Sequence, residues 1–208
     1  MGTLDKIGLK YNADKSSRFH HYLDFYQKHL PDRSFSGRLL EIGVMDGLSM
    51  KMWCEYYPNA EIVGIDIKPD MANYMHNSDW KVPETVKLIT ADGTNKSELE
   101  PLGMFDIIID DGSHYWSHQQ KSFEHLYYSQ LNDSGVYIIE DLWTSEIEYY
   151  ADTKLNTKDY LKQLKQKGLK MINFKYKHSG PGISVSFPDY KNLQSETVVI
   201  KSGFKGEY

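Results

Sequence analysis

Five apolar runs in this sequence each finish on an acid. The acids are Glu41, Asp66, Asp92, the pair Asp110-Asp111 and the pair Glu140-Asp141. Charged groups at buried strand ends are unfavourable unless they are paired or ligated. Neighbouring parallel strands lie ~4.8 Å apart, so carboxylates from adjacent ends can meet on one cation. Asp111, Glu140 and Asp141 are the candidate ligands. Oxygen donors of this kind select a hard ion, Mg²⁺ first, with Mn²⁺ or Ca²⁺ as alternatives. The same acids can instead cap the helices that follow, with no metal. His114 stands three residues past Asp111. An imidazole with an ordinary pKa of ~6.5 suits proton removal at neutral pH, so His114 is a candidate general base. Its plainer alternative is to cap a helix beginning near Ser117. His118 is one helical turn further on and faces the same way, as a candidate substrate contact.

A second chemical feature is the stretch Leu39-Leu40-Glu41-Ile42-Gly43-Val44-Met45-Asp46-Gly47-Leu48-Ser49. It reads as strand, tight glycine turn and helix. Such a turn leaves backbone N–H groups free at a helix N-terminus, and glycine lets a ligand approach the backbone closely. Neither the dinucleotide fingerprint nor the phosphate-binding P-loop pattern is present. Asp66 ends the next strand, at about the ~20-residue spacing at which an acid receives ribose hydroxyls. Turn and acid together favour a ribose-bearing cofactor.

These residues need a frame, and the chain supplies one from residue 38 onward. Strands are expected at 39–44, 61–67, 86–90, 104–111 and 136–141. Helices are expected at 49–57, 70–76, 96–102 and 117–131 between them. Strands that are nearly continuous apolar runs, alternating with helices, argue for a parallel sheet covered on both faces. In such sheets ligands sit at the carboxyl ends of the strands. Before this unit, Tyr22, Phe25, Tyr26 and Leu30 have helical spacing and predict a helix over 18–29, with Ser16 or Ser17 as its cap. After it come an aromatic loop at 143–152, a lysine-rich helix at 157–167 and a strand or ordered loop at 170–177. A turn at 179–182 and strands at 183–187 and 197–201 complete the chain.

Composition restricts the classes. The 208 residues suffice for one domain with a proper core. The formal charge of −5 gives no reason to expect nucleic-acid binding. The single cysteine, Cys54, permits no internal disulfide and suits a reducing, cytoplasmic setting. No apolar run approaches the ~20 residues needed to span a bilayer, so no membrane partner is expected.

The segment from Glu41 to Ser49 resembles motif I of class I S-adenosylmethionine (SAM)-dependent methyltransferases. Asp110-Asp111-Gly112-Ser113-His114 and Ile139-Glu140-Asp141-Leu142 narrow the likeness, as do Tyr11-Asn12-Ala13-Asp14-Lys15 and His20-His21-Tyr22. With these segments the chain is similar, over residues 11–145, to the metal-dependent sugar O-methyltransferases of macrolide biosynthesis, of the mycinamicin 2''-O-methyltransferase type. The family usually has Gly-Thr before Asp-Lys, where this chain has Asn12-Ala13. The resemblance implies one Rossmann-like α/β domain over 1–208, with residues 1–36 as an N-terminal helical lid. Its sheet would be doubly wound, mainly parallel and seven-stranded, with the last strand antiparallel. It implies SAM and Mg²⁺ or another hard divalent cation as cofactors. The acceptor would be a hydroxyl of a glycoside or similar small molecule, and the protein a homo-oligomer. Gly43, Asp46, Gly47, Ser49, Asp66, Asp92 and Asp110 would surround SAM, with Lys15 and Tyr22 closing over it. Trp116, Trp143 and Tyr149 would shape the acceptor site, since sugars stack on aromatic faces. The competing readings are a metal-independent methyltransferase of a polyketide, catechol or amine, a non-catalytic nucleotide-binding module, and an NAD-dependent oxidoreductase.

Overall fold

The computed structural model describes residues 1–68, 80–177 and 194–203. The helix expected at 70–76, the turn at 179–182 and the strand at 183–187 lie outside them. Seven strands form one sheet: β1 (Arg38–Ile42), β2 (Glu61–Asp66), β3 (Val86–Thr90), β4 (Phe105–Asp110), β5 (Leu131–Ile139), β6 (Met171–Lys177) and β7 (Gln194–Lys201). Their order is β3-β2-β1-β4-β5-β7-β6. The strands from β3 to β5 pair in parallel, whereas β7 runs antiparallel to both β5 and β6. The chain order reverses between β1 and β4, which places the switch point at the tips of these two strands.

Alternation along the strands divides the apolar side chains between two layers. Leu39, Ile62, Ile107, Ile109 and Ile138 face a layer built on α1 (Thr3–Tyr11), α2 (Leu23–Tyr26) and α3 (Leu48–Tyr56), including Trp53. Leu40, Val63, Ile108 and Ile139 face the other layer, with Phe123 and Leu126 of α5 (Trp116–Ser129) and Leu161 of α6 (Thr157–Gln166). A short α4 (Lys96–Leu99) precedes β4, and Asn95 caps it by accepting from the Ser97 N–H. Asn156 caps α6 in the same manner, through the Asp159 N–H.

Two local expectations are corrected. No continuous helix spans 18–29. The helical turns are α1, upstream of that stretch, and the four-residue α2. Residues 12–22 instead form a loop that satisfies its own backbone: His20 N–H donates to Asp14 O (2.9 Å) and Tyr22 N–H to Lys15 O (2.9 Å). His21 is left-handed (φ 62°), which breaks any helix running through it. Neither Ser16 nor Ser17 caps α2; Ser17 donates its hydroxyl to Asp5 instead. The second correction concerns β5, which begins at Leu131 and carries the expected turn at Ser134-Gly135 as an irregularity within the strand.

Hydrogen bonding continues past the strands at the carboxyl edge. Ala91 N–H donates to Asp66 O (3.0 Å), Gly43 N–H to Ile65 O (2.8 Å), Asp111 N–H to Ile42 O (3.0 Å) and Glu140 N–H to Asp110 O (2.9 Å). This extension holds the acid-bearing tips in one row. Gly43 is its tightest point: it has φ +86°, and a Cβ there would stand 2.1 Å from the Asp111 carbonyl oxygen. Gly43→Ala therefore combines backbone strain with a clash that only backbone movement relieves, at a cost of about 2 kcal/mol or more. A fall in thermal midpoint of roughly 4–8 °C is expected by calorimetry.

Candidate active site

The turn after β1 is held from below by Asp66. One carboxylate oxygen accepts from the N–H groups of Val44 (3.0 Å) and Met45 (3.2 Å), and the other from Lys68 N–H (3.0 Å). Gly47 is left-handed and caps α3. Asp46 accepts from Leu48 N–H (3.3 Å), and the buried Ser49 donates to Glu41 (2.8 Å). Asp46, Gly47 and Ser49 thus frame the turn. A cleft of ≈ 470 Å³ opens above it, a size suited to a nucleoside-sized ligand. Gly43, Asp66, Asp92, Asp110, Asp111, His114, His118 and Asp141 all line this cleft. Asp14, Met45, Ile67 and Gln119 line it too, though sequence reasoning assigns none of them a site role. Asp14 stands beside Lys15 and Ile67 follows Asp66, so adjacency was the available signal for both. Gln119 carried none.

Beneath the cleft lies a buried charge cluster. The Lys15 ammonium pairs with Asp111, with Glu140 (3.2 Å) and with Glu41 (3.4 Å). Lys15, Glu41 and Glu140 are almost wholly buried. Burial opposes the charge on Lys15, but Asp111, Glu140 and Glu41 outweigh it and hold its pKa well above the ordinary value. Burial also pushes the Glu41 carboxyl up to about 7 and that of Glu140 well up, against the pull of Lys15. Asp110, buried under Tyr137, is raised to about 7. Lys15 and Tyr22 turn toward these acids and do not line the cleft, the Tyr22 hydroxyl donating to Asp141 (2.8 Å).

Asp141 behaves differently from its neighbours. Burial alone would raise its pKa, but His20, His114 and the Tyr22 hydroxyl together lower it. His114 Nε2 stands 3.7 Å from Asp141 Oδ2 and 3.9 Å from Asp111 Oδ1. These separations are too long for hydrogen bonds. Ligand atoms of Asp111, His114 and Asp141 all lie within 4.8 Å of one another. Donors around one octahedral ion with ~2.1 Å bonds stand about 3–4.2 Å apart, so the group has nearly the span of a divalent site. Among the described residues, His114 Nδ1 and Glu140 Oε1 are buried without a hydrogen-bond partner, so both keep acceptor or donor capacity. His114 (φ 60°) and Asp141 (φ 52°) are both left-handed. Thr144 joins their loops, donating to Asp141 O (2.8 Å) and lying 3.3 Å from His114 O.

The expected acceptor residues divide. His118 lines the cleft, with Ser113 Oγ 2.7 Å from its Nδ1. Tyr149 is exposed beside Tyr115, at 6.1 Å between ring centres, and Trp143 lies edge-on to Tyr150 at 6.2 Å. Trp116 points elsewhere: its indole N–H donates to Thr144 O (3.0 Å) and steadies the loop. Among the described residues, no helix is long and apolar enough to cross a membrane.

No protein-family model matches the chain. In sequence it is similar to 8-demethyl-8-(2-methoxy-alpha-L-rhamnosyl)-tetracenomycin-C 3'-O-methyltransferase of Streptomyces olivaceus, at 35% identity over 159 residues, covering 72% of this chain and 39% of that protein. It is similar to L-olivosyl-oleandolide 3-O-methyltransferase of Streptomyces antibioticus at 33% identity, covering 68% and 38%. Mycinamicin VI 2''-O-methyltransferase of Micromonospora griseorubida is 31% identical, covering 68% and 36%. The chain thus spans less than two fifths of the length of these curated relatives. Among solved structures, the MycE methyltransferase of the mycinamycin biosynthetic pathway, in complex with Mg and SAH, superposes with a TM-score of 0.73 at 25% identity, covering 97% of this chain and 55% of that one. A Haloferax volcanii methyltransferase complex with the Trm112 activator shares the fold alone, at TM-score 0.60 and 12% identity. The architecture is the Rossmann-like class I methyltransferase fold, as the sequence resemblance implies.

The link from Tyr22 to Asp141 is open to direct measurement. Tyr22→Phe removes a buried hydrogen bond to a charged group, worth roughly 1.5–3 kcal/mol. Urea denaturation should show a loss of that size, with the slope against urea unchanged.

Proposed function

We infer that this chain is the catalytic domain of a sugar O-methyltransferase of the class I, SAM-dependent family, and that it works with a divalent cation. The observation that carries this reading is the group Asp111–His114–Asp141 on the wall of the cleft, beside the glycine turn. The sugar O-methyltransferases it resembles, and the Mg and SAH named with MycE, support the same reading. Asp111 and Asp141 offer the carboxylate oxygens that would hold the cation. When bound, the cation would acidify an acceptor hydroxyl and the sulfonium would supply an electrophilic methyl group.

The chain's own residues then have separate tasks. Gly43 and the turn behind it admit the methyl donor close to the backbone. Asp66 accepts two N–H groups of that turn and one from Lys68, and keeps room for a ribose hydroxyl, since a carboxylate has about four acceptor positions. His114 Nε2 accepts the proton of the acceptor hydroxyl. With that proton taken, the acceptor oxygen would bond to the donor's methyl carbon as the C–S bond breaks, which would leave a neutral thioether. The imidazole Nε2 stands between Asp111 and Asp141, next to where the cation would hold the hydroxyl. Alignment supplies much of the remaining acceleration. His118, on the cleft wall, would contact the acceptor.

Two measurements test this. Chelation should abolish methylation of a deoxysugar glycoside, and Mg²⁺ should restore it. Full activity after chelation would leave Lys15 as the site's working cation and sink the metal reading. His114→Ala should lower kcat by about 10²–10⁴-fold while SAH affinity, read by calorimetry, stays within about threefold. An unchanged kcat would remove His114 as the base.

A further inference from the structure

We propose that Lys15 is a positioning residue for the cation: its ammonium holds Glu140 and one oxygen of Asp111 beneath the cleft, so that the other oxygen of Asp111 faces the cation beside Asp141. The proposal rests on the reading that the cleft takes a divalent cation.

Lys15 is 1% exposed. An ammonium removed from water to this degree is costly unless charges surround it. The charges come from three strand tips: Glu41 on β1, Asp111 after β4 and Glu140 after β5. In sequence they lie 26, 96 and 125 residues away, so the contact locks the N-terminal loop to the carboxyl edge of the sheet. Asp111 is divided by this contact. Its Oδ2 is taken by Lys15, and its Oδ1 is the atom 3.9 Å from His114 Nε2. Tilting the carboxylate away would break the ion pair with Lys15, so the ammonium fixes its orientation and leaves one oxygen toward the cleft. Glu140 accepts from Lys15 through Oε2 and stands outside the Asp111–His114–Asp141 group. The loop that carries this lysine is itself fixed, because Lys15 O accepts from Tyr22 N–H (2.9 Å) and Tyr22 holds Asp141 (2.8 Å). One short segment therefore orients both carboxylates of the cation site, Asp111 by charge and Asp141 by a hydroxyl.

Crystals of the wild-type chain grown with Mn²⁺ give the first test, read by anomalous scattering. The ion is expected against Asp111 Oδ1 and Asp141, with the Lys15 ammonium still on Asp111 Oδ2 and Glu140. An ion seated in the Lys15 position, with the lysine swung out, overturns the proposal while keeping the metal reading. No Mn²⁺ binding by crystallography or calorimetry overturns the metal reading, and the proposal with it. Lys15→Met is the second test: Mn²⁺ affinity should fall about 10- to 100-fold, as for other groups that orient metal ligands, with SAH affinity kept. Unchanged Mn²⁺ affinity overturns the proposal. The double variant Lys15→Met/Glu41→Gln removes one charge of each sign. It should regain thermal stability but keep the weakened Mn²⁺ affinity. Recovered affinity would show that Lys15 only balances buried charge, and would equally overturn it.

Discussion

Parallel pairing in register is the constraint from which the rest follows. Once β2, β1, β4 and β5 align, their terminal acids must share one rim, because the ladder of hydrogen bonds runs one residue past each strand. A rim of carboxylates in a half-buried edge is self-repelling. It persists only with positive charge in its midst, and this chain supplies one such charge from its own N-terminal loop. The unequal pKa directions follow from where that charge lies. Glu41 and Glu140 pay the full burial penalty and are raised, whereas Asp141 has a tyrosine hydroxyl and two imidazoles about it and is lowered. Asp111, on the other side of His114, is raised by burial against the pull of Lys15.

Backbone strain collects at the same rim. Met45, His114 and Asp141 are left-handed without being glycine, and they follow β1, β4 and β5 in turn. Each such residue costs on the order of 1–3 kcal/mol. The compensation is visible for His114 and Asp141, whose carbonyls share the Thr144 hydroxyl, and for Met45, whose N–H reaches Asp66. The strain turns side chains into the cleft that a relaxed turn would direct elsewhere.

The sheet was legible because buried parallel strands announce themselves as short apolar runs, and the acids that end those runs mark its carboxyl edge. The N-terminal segment was not legible by the same means. Tyr22, Phe25, Tyr26 and Leu30 have helical spacing, but they pack against one layer from a loop and a single helical turn, with His21 breaking the path. Periodicity reports which side chains are buried, and only indirectly which backbone buries them. Lys15 was visible as part of a motif, yet its partners lie far along the chain, so its direction had to come from the fold. Asp66 shows a finer limit. Its position at the end of β2 was readable, while its use as acceptor for the very turn it follows depends on how β1 and β2 register.

The antiparallel last strand explains how the N-terminal loop stays in place. Ser195, Glu196 and Thr197 of β7 are polar and buried, an unusual run for a strand interior to a sheet. Each meets the N-terminal segment. Ser195 Oγ is 2.8 Å from His20 Nδ1, Glu196 O is 3.2 Å from the Tyr22 hydroxyl, and Thr197 Oγ1 is 2.9 Å from the Tyr26 hydroxyl. Thr197 donates onward to Ile139 O (2.8 Å), so its oxygen must accept from Tyr26, and the direction of that bond is fixed. A lid that swung clear from residue 12 onward would have to abandon these bonds as well as the Lys15 ion pairs, leaving buried polar groups unsatisfied at both ends. The segment is therefore tied to the rim along its length, by ion pairs at Lys15 and by hydrogen bonds at His20, Tyr22 and Tyr26.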